Sequence, residues 1–180
     1  MGRASETVSS RSVAQTEMTT PEQHGLRKAV WTHADFEVMC WHDVRLYCFT
    51  VLPESFELVM DLDYITKWVH PTPPETHFSF WVAPATLVLH DVKNIAAVIE
   101  ITLVTELEIL AVKRTPAAAG LGWRWMFGLD SGEVALDASG FTQYLRQEPV
   151  FSQQQSLGLD RRGGISYERK AFDGATGLAK

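Results

Sequence analysis

The chain has 180 residues, 46% of them hydrophobic, with six Trp, nine Phe, a net charge of −6 and a pI near 5.5. That length suits one domain, and the aromatic content supplies enough apolar surface to offset the entropy of ordering it. The negative charge repels phosphate backbones, which argues against a nucleic-acid partner, and no apolar run approaches the roughly 18 to 20 residues of a membrane helix.

Residues 1–25 are rich in Ser, Thr, Gln and Glu, the composition of a disordered tail, and MGRASETVSSRS lacks the apolar core of a secretory signal. A cytoplasmic protein is expected, with no membrane partner. The two cysteines, Cys40 and Cys48, lie too far apart along one extended segment for a disulfide at about 3.3 Å per residue. They read as small buried apolar residues in a reducing compartment.

The first strong strand pattern is WHDVRLYCFTVL, in which Val44, Leu46 and Cys48 face one way and Tyr47, Phe49 and Val51 the other. After a turn at Pro53-Glu54-Ser55, FELVMDLDY alternates as a half-exposed strand that pairs with it as a hairpin. A Pro-rich stretch, KWVHPTPPETHFSFW, follows. FSFWV and ATLVLHDV read as two strands split at Ala83-Pro84, and NIAAVIEITL as a further one.

LEILAVKR, WRWMFGLD and EVALDASGF continue the rhythm, with loops at TPAAAGLG and at Asp130-Ser131-Gly132, a hairpin signal. FTQYLRQEPV predicts a strand ending at Pro149, and SQQQSLGL a loop or short helical turn. The single β domain is therefore assigned to residues 26–157. Residues 158–180 are expected to attach loosely, with Ile165 and Tyr167 as a short strand at most. Together these elements make an all-β fold, an antiparallel β-sandwich or partly closed barrel of about seven to nine short strands with little helix.

Unusual chemistry concentrates between Asp61 and Pro84. Asp61 and Asp63 share a strand face, so their carboxylates stand side by side, suited to a hard cation if enclosed and a charged surface if solvated. His70 and His77 flank the prolines and extend the cluster, but their spacing is no zinc template, and no metal site or cofactor is assigned. His42-Asp43 looks like the adjacent His-Asp pair of helical metal phosphohydrolases, although here it opens a strand. The structural alternative makes Asp43 a pin at the strand start and His42 an edge residue. Trp68 and Trp81, with Trp123 and Trp125, form either an aromatic binding wall or core. Arg45, Arg124 and Arg146 are candidate partners for Asp61, Asp63 or Asp137. There is no GxSxG elbow and no Gly-rich phosphate loop, so no catalytic residue is assigned.

The ordered string WHD, DLDY, KWVHP, FWVAPATLVLHDV, LEI and GFTQYLR resembles a family of uncharacterised bacterial proteins over about residues 40–157. More distantly, the His-Asp at the first strand and the later LEI are similar to immunity-type proteins of toxin systems, from which the KWVHPTPPETHFSFW insertion departs. With no catalytic motif in the residues, the expected function is a non-enzymatic interaction domain, for which the resemblance adds an immunity-like role. Its binding surface would comprise His42, Asp43, Asp61, Asp63, Trp68, His70, His77 and Trp81, and an acidic surface of that kind suits a basic protein partner. The alternative is a small ligand- or metal-binding β-barrel with hydrolase-type activity. A third reading, an accessory subunit, implies an exposed apolar patch and self-association.

Overall fold

A computed structural model describes residues 24–101, 106–118 and 122–174. The segment expected to be a disordered tail falls almost wholly outside the described residues. Among the described residues ten strands form one antiparallel sheet: β1 (Val30–Thr32), β2 (Val44–Leu52), β3 (Glu57–Val69), β4 (Ser79–His90), β5 (Lys93–Ile99), β6 (Leu107–Pro116), β7 (Trp123–Leu129), β8 (Gly132–Ala138), β9 (Gly140–Leu145) and β10 (Val150–Ser152). The order across the sheet is β1-β9-β4-β3-β2-β6-β7-β8-β5, with β10 added beside β4. A 3-10 turn spans His33–Val38, and a short helix, α1, spans Gly158–Arg162. Among the described residues no helix is long and apolar enough to cross a membrane.

The sheet folds on itself at one corner. Only Asp91 and Val92 separate β4 from β5, and only Ser139 separates β8 from β9, so these strands make one bent two-stranded ribbon. The Ser139 N–H donates to the His90 carbonyl at 2.9 Å and holds the bend. Leu58, Met60, Leu62, Leu87 and Leu89 from one half thereby meet Trp125, Phe127, Val134 and Leu136 from the other in a single buried core. The sheet does not close, and the result is an all-β sandwich or open barrel, as the strand pattern indicates.

Two departures from the expected strand pattern shape the outer face. In β2 the register shifts between Leu46, opposite Leu62, and Cys48, opposite Asp61, so Tyr47 is the extra residue of a bulge. The bulge reverses the faces beyond it. Phe49 rather than Cys48 joins Val44 and Leu46 at the core, correcting the alternation expected of this strand. FSFWV and ATLVLHDV are one continuous strand rather than two. Pro84 sits where β9 has ended and β10 has not begun, and its carbonyl accepts from the Arg146 N–H at 2.9 Å. A residue's N–H and C=O point to the same side of a strand, so the donor that proline lacks would face this break.

Candidate functional site

Period two along β3 sends Leu58, Met60, Leu62 and Tyr64 to the core and puts Glu57, Asp61 and Asp63 on the opposite face. That face is covered. From Leu157 to Phe172 the chain crosses it as a strap, and both aspartates are 0% exposed. Arg162, also fully buried, donates from Nη1 and Nη2 to the two oxygens of Asp61 at 2.6 Å each, and from Nε to Asp63 at 3.0 Å. Arg146 Nη2 adds a bond to Asp61 at 2.7 Å, and the Ser166 N–H another at 3.0 Å. Asp63 takes the Leu157 N–H at 2.7 Å and the Tyr47 hydroxyl at 2.9 Å.

Two carboxylates therefore face two guanidiniums, with four hydrogen bonds to Asp61 and three to Asp63. Their acceptor positions are filled by the protein itself. The expectation of a cation site or of a solvated acidic surface at these residues is corrected: the pair is a buried anchor for the strap. The expectation that residues 158–180 attach loosely did not anticipate these contacts. Arg162 also lies 3.8 Å over the ring of Tyr47. Burial, then the charge and hydrogen bond of Asp63, push the Tyr47 hydroxyl up to about 12.

A second anchor lies farther along β3. Arg169 grips both oxygens of Glu57 (3.2 and 2.6 Å), which also takes the Ser55 hydroxyl and meets His90 Nδ1 at 3.3 Å. Burial opposes ionisation of Glu57, yet the bonds from Arg169, Ser55 and His90 hold its carboxyl below the ordinary range. The other arginines divide. Arg124 pairs with Asp137 at 3.3 Å as the sequence suggested, whereas Arg45 pairs with Glu106.

The remaining candidates lie at the end of the outer face. His42 is 61% exposed, and its Nδ1 meets Asp43 at 2.6 Å. Asp43, in the left-handed region at φ 59°, is held from the other side by Gln155 Nε2 at 2.9 Å. The ring of His42 stands edge-on to Trp68 at 6.4 Å. Trp68 in turn contacts Phe78 (5.7 Å) and Phe80 (4.9 Å), and His70 lies against Phe78 (4.9 Å). Trp68 and Phe78 keep 37% and 38% of their surface in solvent. His77 is exposed in the Pro-rich loop, and Trp81 is buried between His24 and the half-exposed Phe151. Trp125 is core, so the four tryptophans do not make one wall.

Beside this aromatic group opens a cavity of about 390 Å³ lined by Phe80, Arg45, Glu106, Glu108 and Gln153–Ser156. Burial, then the charges of Asp43, Asp130 and Glu106, push the Glu108 carboxyl up. An acidic and aromatic surface is thus present, but its carboxylates are Asp43, Glu106 and Glu108 rather than Asp61 and Asp63. Among the described residues no group of three or more His, Cys, Asp or Glu could hold a metal ion.

No family model matches the chain, and no curated protein or solved structure matches it.

Sequence reasoning missed Arg162 and Arg169. The signal was available in the acids Glu57, Asp61 and Asp63 on one face of an otherwise well-buried strand, which demand cations from elsewhere. The cysteines also differ from expectation. Cys40 is exposed because it precedes β2, and the bulge turns Cys48 outward to accept the Tyr167 hydroxyl at 3.1 Å.

Proposed function

We propose that this protein is a non-enzymatic interaction domain that grips a basic segment of a protein partner at the aromatic end of its outer face. The observation that carries the reading is the pair Trp68 and Phe78, packed edge to face and each more than a third exposed, beside the carboxylates of Asp43, Glu106 and Glu108. Large aromatics near a cluster of carboxylates, of which Glu106 keeps 51% of its side chain in solvent, supply contact area and cation preference together. The sequence resemblance to immunity-type proteins offers one class of such partner, a basic toxin domain.

Crosslinking of the full chain in its native host, followed by mass spectrometry, tests this. A dominant basic partner should be recovered by the wild type and lost from both Trp68→Ala/Phe78→Ala and Glu106→Gln/Glu108→Gln. Retention of the same partners by both variants would overturn the reading.

A second reading, a small-ligand binder, is favoured by one observation. A cavity of about 710 Å³ opens at the folded corner, lined by Phe56, Asp91, Lys93, Asn94, Ala117 and Ala138 among others. Its size lies in the range of small-molecule pockets. Three of its lining residues, Phe56, Asp91 and Asn94, hold positive φ without being glycine. A thermal-shift screen of small metabolites, with hits checked against Phe56→Asn, separates this reading from the first.

A further inference from the structure

We propose that β5 is a seam at which two copies of this chain pair edge to edge as a closed two-fold dimer. Among the described residues β5 bonds to β8 on one side and ends the sheet on the other. Between Ile95 and Ile99 it carries no charge and no proline, and Val98 is 65% and Ile95 39% exposed. Long apolar edges of this kind are what soluble proteins otherwise shorten, charge or cover. The opposite edge, β1, is three residues long.

The register decides which backbone groups are free. Glu100 N–H donates to the Ser131 carbonyl at 2.9 Å, continuing the ladder in which Val98 opposes Glu133 and Ala96 opposes Ala135. Glu100, Val98 and Ala96 are therefore the residues bonded toward β8, and Ala97 and Ile99 turn their N–H and C=O groups to the open edge. A two-fold axis through Ala97 makes these groups reciprocal partners. It sets Ala97 opposite Ala97 of the second copy, Ile95 opposite Ile99 and Ala96 opposite Val98, an uncharged and wholly apolar ladder.

A bulge then supplies the charge match. Lys93 opposes Asp137 while Ala96 opposes Ala135, so three steps along β5 match two along β8, and Lys93 falls on the face of Ala96, Val98 and Glu100. In the two-fold pairing Lys93 of each copy stands opposite Glu100 of the other. Neither residue has an ion-pair partner among the described residues. Two such pairs bracket the ladder and offset the repulsion between chains that each carry a net charge of −6. An isologous contact consumes the edge it uses, so assembly stops at two.

Sedimentation equilibrium of the full chain reads the outcome. The wild type should show twice the 20.2 kDa chain mass, dissociating on dilution. Ala97→Pro removes an N–H that only the second copy uses and should give the single-chain mass with an unchanged far-ultraviolet CD spectrum. Lys93→Glu and Glu100→Lys should each weaken the dimer several-fold, and the double swap should restore it. A wild type monomeric at every concentration, a dimer that survives Ala97→Pro, or a double swap no tighter than its singles would each overturn the proposal. Should Ala97→Pro lose its native CD spectrum, the charge swap alone decides.

Discussion

Arg162 and Asp61 meet through two hydrogen bonds of 2.6 Å, both side chains buried, although 101 positions separate them in the chain. Removing one member of a buried pair leaves the other charge desolvated and uncompensated, a loss of about 3–5 kcal/mol. Arg162→Met should destabilise by that order in urea unfolding followed by Trp fluorescence. Arg162→Lys keeps the charge but not the three-point fork that spans Asp61 and Asp63, and should recover only part of the loss. Arg162→Met with Asp63→Leu removes the orphaned carboxylate as well and should be more stable than Arg162→Met alone. Equal stability of wild type and Arg162→Met would mean that the strap does not contribute to the fold.

The acid limb of stability should run through Glu57. Its folded pKa lies below the ordinary 4.5, so the unfolded chain takes up the proton first as pH falls. Its contribution is complete above the unfolded value and is lost as pH drops from there through the folded value. His24 acts in a higher window. Burial lowers its pKa from 6.5, so the unfolded chain gains a proton there and stability falls as pH drops below that value. Unfolding free energies measured across pH should therefore show Glu57→Gln with a shallower slope below about pH 4.5 and an unaltered slope near pH 6. An unchanged slope in the lower window would remove Glu57 as its source.

How much of this was legible in the sequence depends on distance along the chain. The alternation in FELVMDLDY is local and suffices to put Asp61 and Asp63 on one face. What covers that face is not local, because the strap arrives about a hundred residues later in a Gly-rich segment without periodicity of its own. Tyr47 illustrates the second gap. A bulge adds one residue without any composition signal, and every assignment of face beyond it inverts, which is why Cys48 and Phe49 exchange places. The Asp130-Ser131-Gly132 hairpin was readable because its chemistry is compulsory. A Cβ at Gly132 would stand 2.0 Å from the Val98 carbonyl oxygen.

Trp41 and Gln143 form an isolated polar pair inside the apolar core. The indole Nε1 donates to Gln143 Oε1 at 2.8 Å, while Gln143 Nε2 has no partner among the described residues. Trp41→Phe strands Gln143 Oε1 as well as Nε2, and Gln143→Met strands the Trp41 indole N–H, whereas the two together strand none. The double-mutant cycle should therefore show a coupling energy of about 1–3 kcal/mol, with the double variant less destabilised than the sum of the singles. Strict additivity in urea unfolding would show that the bond is not made in solution.

Phe56 holds φ at 53° with 65% of its surface exposed, a combination in which a bulky side chain costs conformational energy and recovers little by burial. Its carbonyl accepts the Val92 N–H at 2.7 Å, and this bond fixes the corner at which β4 passes into β5. The backbone conformation is therefore imposed by the fold and survives substitution. Asn tolerates the left-handed region, so Phe56→Asn should raise stability by about 1 kcal/mol, seen as a higher urea midpoint at unchanged slope. If the corner cavity takes a small apolar ligand, the same variant should lose the ligand-induced rise in Tm while keeping its own higher baseline, because the ring that strains the backbone is also a wall of the cavity. A lower midpoint would show instead that the ring packs in solution against surfaces beyond those it meets here.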